Sequence, residues 1–324
     1  MTVVWNRNAA RLQRFDATAS NTIRRGLANG PALRDKRLVI VFLNGEFVPE
    51  NEAVVSVFDR GFLYGDGLFE TLKIISAIPI RWDAHWQRLA DGAARLNLHL
   101  PYTSEFLRDQ AIELCWSNDL EECLLRITVS RGVGPRGYSP RGADEPTVVM
   151  SVHSSPNHAA TSPERKLRTA SLRLPEGDIL SACKSANKLL HVLARAEAEN
   201  AGADEALLLN VRGEVAEATS ANVFWIEAGA VHTPPLASGA LPGVTRAEVL
   251  AWCRSQGLAL HETVSDLTRL YRADGCFLTA SSWGVVEVVE LDGKPLATSP
   301  LTNRIRDALF AAWVAEAKSY RMGK

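Results

Sequence analysis

The chain has 324 residues, of which 46% are hydrophobic and 23% are charged, and its formal net charge at pH 7 is -1. This balance is that of a globular protein large enough for two domains, and it excludes a disordered or fibrous chain. Because so small a charge provides no broad positive field, we predict a small-molecule partner and neither nucleic acid nor a membrane surface.

The five cysteines are scattered along the chain, and none of them stands in a Cys-x-x-Cys spacing. That arrangement argues against a disulfide framework and against a zinc site, so we predict no bound metal and a reducing, cytoplasmic location. No apolar run approaches the roughly 20 residues of a membrane-spanning helix, so no such helix is predicted.

Residues 1–37 differ from the rest of the chain, with seven arginines and one lysine against two aspartates. Apolar residues are too sparse there for a core element, so we predict an N-terminal extension without a catalytic role. The composition is also compatible with an organellar transit peptide, which would be a targeting segment.

From residue 38 onward the pattern predicts regular secondary structure. Strands at 38–43 and 46–49 flank Asn44-Gly45, a dipeptide typical of a two-residue hairpin turn. Helical spacing runs over 83–98, and Asp83 is expected to cap that helix. The other elements predicted in the first half are strands at 68–75, 78–82, 123–130 and 147–152 and a helix at 104–118.

A polar, turn-rich stretch at 154–164 predicts a linker between two domains. Strands and helices are interleaved beyond it. The strands are predicted at 166–173, 204–210, 222–227 and 275–279, and the helices at 187–201, 244–256 and 302–318. We therefore predict a small α+β domain over 38–153 and a larger, mixed α/β domain over 165–324.

Lys184 is the first candidate for chemistry. Small residues surround it in the run SACKSAN at 181–187, and desolvation there would lower its pKa enough for Schiff-base formation with an aldehyde. On this pattern alone Lys188, one helical turn on, competes for the role. An aldehyde cofactor with a pyridine ring also needs a carboxylate at the ring nitrogen, and Glu217 is the candidate, with Glu214 as its rival.

A phosphate group is expected at the helix that Gly243-Val244-Thr245 opens, because free N–H groups and the helix dipole attract an anion there. Hydroxyls of Thr245, Ser281 and Ser282 and the guanidinium of Arg88 could add to such a site.

Five segments in this order resemble the class IV aminotransferases, the fold type IV group of pyridoxal-phosphate enzymes. They are DRGFLYGDGLFET at 59–71, HWQRL at 85–89, KSAN at 184–187, EATSANVF at 217–224 and LPGVTR at 241–246. The resemblance implies a two-domain, D-amino-acid-aminotransferase-like fold, a homodimer, and pyridoxal 5'-phosphate held between the domains.

The resemblance also implies roles for individual residues, and it selects Lys184 over Lys188 for the Schiff base. The implied cofactor contacts are Arg88, Lys184, Glu217, Leu241, Val244, Thr245 and Ser281, where Ser281 replaces the usual threonine. The implied substrate contacts are Phe69, Arg136, Tyr138 and Ser282.

Three activities occur in this family: branched-chain aminotransferase, D-amino-acid aminotransferase and 4-amino-4-deoxychorismate lyase. The run RGYS at 136–139 is similar to the lyases, and the tyrosine that branched-chain enzymes usually show after Asn187 is missing. We predict the lyase, which forms 4-aminobenzoate and pyruvate in folate biosynthesis by proton transfer at Lys184. The alternatives are an aminotransferase for D- or branched-chain amino acids and a cofactor-binding protein without catalysis. The loop at 280–286 matches none of the three patterns.

Overall fold

The structure, a computed structural model, describes residues 38–155, 164–175 and 177–322. Its first sheet consists of β1 (Ile40–Leu43), β2 (Glu46–Pro49), β3 (Gly67–Ile75), β4 (Ile78–Pro79), β5 (Cys123–Ser130) and β6 (Thr147–Ser154). The strands are all antiparallel in the order β2-β1-β6-β5-β3-β4. Leu43 pairs with Glu46 across the turn, which confirms the hairpin predicted at Asn44-Gly45.

The second sheet is mixed, with both parallel and antiparallel strand pairs. Its strands are β7 (Glu164–Leu174), β8 (Glu205–Asn210), β9 (Val215–Ala218), β10 (Asn222–Glu227), β11 (Ala230–Thr233), β12 (Leu260–Glu262), β13 (Gly275–Ala280), β14 (Gly284–Leu291) and β15 (Lys294–Pro295). The order is β12-β11-β10-β13-β14-β7-β8-β9, and β15 pairs with β14. The predicted α+β and mixed α/β class is confirmed.

Seven α-helices accompany the sheets within the described part of the chain. They are α1 (Arg60–Tyr64), α2 (Trp82–Arg95), α3 (Ser104–Ser117), α4 (Leu189–Asn200), α5 (Val244–Ser255), α6 (Leu267–Arg272) and α7 (Pro300–Met322). Alternate residues of β5 are buried in the core that α2 and α3 cover, because side chains alternate between the faces of a strand. They are Cys123, Leu125, Ile127 and Val129. Arg126 and Thr128 therefore face the other side of this sheet.

Helix α7 contacts both sheets. Its first half packs Ile305 and Leu309 into the core of Phe224 and Phe277, and its second half packs Trp313 against the residues around β4. The 23-residue helix thus connects the second sheet to the edge of the first.

Some expectations were wrong or stay predictions. Helix α2 begins at Trp82, and Arg81, with a φ of 55°, occupies its cap position without a side-chain hydrogen bond. Asp83 lies in the first turn, so the predicted Asp83 cap was wrong. The extension at 1–37 lies outside the described residues, as does most of the linker, and the division into two domains stays a prediction.

Gly132 and Gly229 offer a matched test of backbone packing, because their φ angles are +80° and +79°. A Cβ at Gly132 would lie 1.8 Å from the carbonyl oxygen of Glu145, whereas a Cβ at Gly229 would meet nothing within 4 Å. We expect Gly229→Ala to lower the free energy of unfolding by about 1 kcal/mol and Gly132→Ala by about 3 kcal/mol or more. Urea unfolding measures both, and equal losses would contradict the tight approach at Gly132.

Candidate active site

The segment that carries Lys184 is held against the beginning of β3. The N–H of Phe69 donates to the carbonyl of Lys184 at 2.9 Å, and the N–H of Ala186 donates to the carbonyl of Gly67 at 2.8 Å. These bonds place the Lys184 Nζ 4.6 Å from the centre of the Phe69 ring. Lys184 is therefore fixed between the two sheets.

The environment of Lys184 suits an amine that must be neutral part of the time. Burial, and then the positive charge of Arg88, lower the pKa of Lys184 to about 8, although Glu70 and Glu217 partly oppose the shift. At pH 7 a pKa of 8 leaves about one amine in ten neutral, against about one in 3,000 for a pKa of 10.5. Lys184 is thus a far better nucleophile than an ordinary lysine.

Arg88 on α2 is oriented by a buried carboxylate. Glu70 accepts from the Arg88 Nε at 2.8 Å and Nη2 at 2.6 Å, and its Oε2 lies 2.7 Å from the His85 Nδ1. Burial opposes ionisation of Glu70, but the charges of Arg88 and His85 outweigh it and hold its pKa at about 2. The Arg88 Nη1 also donates to the carbonyl of Pro242 at 3.1 Å. The guanidinium is therefore held rigidly at the wall of the site.

Glu217 lies on β9 and is buried. Its Oε2 accepts from the N–H of Leu241 at 2.8 Å, and its Oε1 lies 3.4 Å from the Nε2 of His191 on α4. The carboxylate is therefore fixed in direction by a backbone donor.

The beginning of α5 has the donors that a phosphate group requires. Gly243 caps the helix without a side-chain bond, so the first N–H groups are available to an anion. The Thr245 Oγ1 lies 3.3 Å from the Ser281 Oγ. The buried Thr279 Oγ1 has no hydrogen-bond partner among the described residues. Uncapped N–H groups, these hydroxyls and the Arg88 guanidinium together fit a phosphate.

One cavity of about 530 Å³ lies among these groups, a size usual for small-molecule sites. Of the predicted residues, its lining includes Arg88, Lys184, Glu217, Leu241, Val244, Thr245, Ser281, Phe69 and Ser282. Arg136 and Tyr138 are not in this lining: both are exposed on the loop after β5, which Arg60 holds through the carbonyls of residues 137–139. Their contact with substrate stays a prediction.

Two residues of the first sheet join the site without having been singled out in the sequence. Thr71 lines the cavity, and Arg126 is its partner in the β3–β5 register, with its guanidinium 4.1 Å from the centre of the Phe69 ring. Burial lowers the pKa of Arg126. The two-residue period of β3 from Phe69 to Thr71 could have indicated Thr71, but Arg126 needed the strand register.

Metal-ligand clusters and membrane-spanning helices are both absent from the described ranges. No group of three or more His, Cys, Asp or Glu side chains there is placed to hold a metal ion. None of the helices in those ranges is long and apolar enough to cross a membrane.

The chain is similar to known proteins over most of its length. The amino-transferase class IV family matches residues 67–291. A putative branched-chain-amino-acid aminotransferase of Methanocaldococcus jannaschii is 37% identical over 78% of this chain and 88% of its own. An aminodeoxychorismate lyase of Vibrio harveyi is 35% identical over 71% and 84%, and a D-alanine aminotransferase of Bacillus licheniformis is 30% identical over 83% and 95%.

Solved structures show the same fold. The branched-chain amino acid aminotransferase of Escherichia coli superposes with a TM-score of 0.81 at 26% identity, covering 86% of this chain and 96% of that one. A putative 4-amino-4-deoxychorismate lyase of Legionella pneumophila gives 0.76 at 27% identity, covering 81% and 96%.

The fold and the cavity therefore define a pyridoxal-phosphate-dependent enzyme of fold type IV. The chain belongs to the class IV aminotransferase family. Membership makes it an enzyme whichever of the family's reactions it performs, so the alternative of a cofactor-binding protein without catalysis is set aside.

The depressed pKa of Lys184 predicts how fast the cofactor-free protein attaches pyridoxal phosphate. Only the neutral amine attacks the aldehyde. The attachment rate should therefore rise with pH and then level off, and the midpoint of this rise should lie near pH 8. Stopped-flow absorbance in the visible range would follow the reaction, and a midpoint above pH 10 would contradict the assignment. Lys184→Ala should show no covalent attachment.

The same measurement on Glu70→Gln tests the charge balance around Arg88. Because Glu70 raises the pKa of Lys184 and Arg88 lowers it, loss of the carboxylate should move the midpoint to lower pH. Glu199→Gln is the matched control, since Glu199 lines the cavity but is exposed and paired with Arg195. If the midpoint moved in Glu199→Gln and stayed in place in Glu70→Gln, the assigned effect of Glu70 on the pKa of Lys184 would be wrong.

Proposed function

We propose that the protein is a 4-amino-4-deoxychorismate lyase, which converts its substrate to 4-aminobenzoate and pyruvate. Relatives named as aminodeoxychorismate lyases support the reaction class. The structural observation that carries the proposal is the hydroxyl of Thr71 in the cavity lining.

The cavity residues divide the work of holding the cofactor. Arg88, Val244, Thr245 and Ser281 would bind the phosphate, Glu217 would meet the ring nitrogen, and Leu241 would pack on the ring. Pyridoxal phosphate, when bound, supplies an aldehyde that condenses with amines and a ring that accepts an electron pair.

Lys184 then performs the proton transfer. Its neutral amine takes the proton from the amine-bearing carbon of the substrate. The carbon–oxygen bond to the enolpyruvyl group breaks, the carbocycle becomes aromatic, and the leaving group takes up a proton to become pyruvate. No water or oxidant enters, so atoms and electrons balance, and aromatisation drives the reaction forward.

Thr71 supports this elimination over transamination. Its position on β3 is two residues from Phe69 on the same face, and its hydroxyl has no partner among the residues that the structure describes. Transamination moves a proton between two carbons, for which Lys184 suffices. Elimination breaks a carbon–oxygen bond, and the departing oxygen needs a hydrogen-bond donor. A free hydroxyl in the lining is such a donor.

Substrate carboxylate recognition is proposed for three residues. Arg126 lies next to Phe69 and has no acidic partner among the described residues. Arg136 and Tyr138, on the exposed loop, are the other two proposed contacts, and Phe69 and Ser282 would shape the pocket.

A homodimer is part of the proposal, and the surface around α1 supports it. Exposed apolar side chains there include Phe58, Phe62, Val133 and Tyr138, and a bridge between Asp59 and Val133 brings the two loops together. An apolar surface of this kind is suited to an interface between two copies of the chain. If analytical sedimentation shows only a monomer, the proposed homodimer is wrong. The five free, buried cysteines suit the cytoplasm, which we propose as the location.

An aminotransferase acting on D- or branched-chain amino acids is the second candidate. The relatives from Methanocaldococcus jannaschii and Bacillus licheniformis carry such names. Lys184, Arg88 and Glu217 would serve that reaction equally well.

The test is to incubate the cofactor-loaded protein with 4-amino-4-deoxychorismate and to follow 4-aminobenzoate by chromatography. Thr71→Val should lower its formation by about 10²–10⁴-fold with the visible cofactor band unchanged, and Thr71→Ser should keep most of the rate. No 4-aminobenzoate, with turnover of D-alanine or a branched-chain amino acid, would establish the second candidate instead.

A further inference from the structure

Lys188 is a cation of the cavity that the proposed reaction does not use. It lines the same space as Lys184 and Glu217, yet its ammonium group has no hydrogen bond or ion pair with any residue in the described ranges. Burial lowers the pKa of Lys188, the charge of Glu217 opposes that shift, and Arg88 adds to it.

The place of Lys188 on its helix is also unfavourable for a positive charge. It occupies the cap position of α4 without a side-chain hydrogen bond, and the first turn of α4 contains no acidic residue. The positive end of a helix dipole repels a cation, and Ser, Thr, Asp or Asn is preferred at this position. Folding alone therefore gives no reason for a lysine here.

The other cations of the lining all have counterparts. Arg88 is paired with Glu70, and Arg195 is paired with Glu199 and Glu205. Lys184 is assigned to the cofactor. Lys188, at the cap of α4, is thus left among the cations of the lining with neither an ion pair to a described residue nor an assigned role.

We infer that Lys188 binds a second carboxylate of the substrate, so that this lysine selects dicarboxylates over monocarboxylates. The inference rests on the proposed function for the identity of the substrate. 4-Amino-4-deoxychorismate carries one carboxylate on its ring and one on its enolpyruvyl group, whereas D-alanine and the branched-chain amino acids carry one. The ammonium group of Lys188 supplies a point charge with three donors.

Binding of unreactive probes tests the inference without turnover. Benzoate and benzene-1,3-dicarboxylate would be titrated into the cofactor-loaded protein, and the shift of the visible cofactor band would give each affinity. We expect the unmodified protein to prefer the dicarboxylate. Lys188→Met should lower the affinity for the dicarboxylate by about tenfold or more, the scale of one charged hydrogen bond, and leave benzoate binding unchanged.

Two further variants make the result specific. Lys188→Arg should keep the preference because it keeps the charge. Lys166→Met, which removes an exposed lysine outside the cavity, should bind both probes as the unmodified protein does.

The inference is overturned if Lys188→Met keeps the preference for the dicarboxylate. It is also overturned if that variant weakens both probes equally and changes the cofactor band before any probe is added, since Lys188 would then face the cofactor. Failure of the lyase assay is a separate outcome: a preference that depends on Lys188 in a protein that forms no 4-aminobenzoate would remove the proposed function and leave the dicarboxylate site.

Discussion

The attachment of the Lys184 segment to the start of β3 is the contact on which the site depends. Two backbone hydrogen bonds make it, and they join residues far apart in the chain. Gly65, with a φ of 67°, keeps this approach close, because a Cβ there would lie 3.2 Å from the Cα of Asn187. This joint brings Phe69 of the first sheet and Glu217 of the second sheet to one cavity. The side chains of the site therefore depend on this backbone contact for their positions.

The second constraint is electrostatic. An arginine that is to bind an anion must keep one orientation before the ligand arrives, and a buried carboxylate provides this. Glu70 does this for Arg88 while His85 fixes the other edge of the carboxylate. The same carboxylate limits how far Arg88 can depress the pKa of Lys184. The orientation of Arg88 and the reactivity of the Lys184 amine are therefore linked through one residue.

Much of the site could be predicted from the sequence because its signals are local. Lys184, Glu217 and Thr245 each stand in a short run with its own chemistry, and the structure places all three at one cavity. Arg126 could not be found this way, since its position depends on the register between β3 and β5. Glu70 has the pattern of an ordinary strand residue, because its role depends on α2, which places Arg88 beside it. The prediction that Asp83 caps α2 was wrong because Arg81 adopts a left-handed conformation, which its residue type does not indicate.

Helix α7 has a consequence for ligand entry. A continuous helix packed on both sheets resists extension, and the Trp313 indole on it donates to Glu248 of α5, 3.0 Å away. A hinge-like separation of the two sheets would strain α7 and displace α5, whose first turn lines the cavity. Exchange of substrate and product would therefore pass through loop and side-chain motion at the mouth, with the cofactor's anchorage left undisturbed between turnovers.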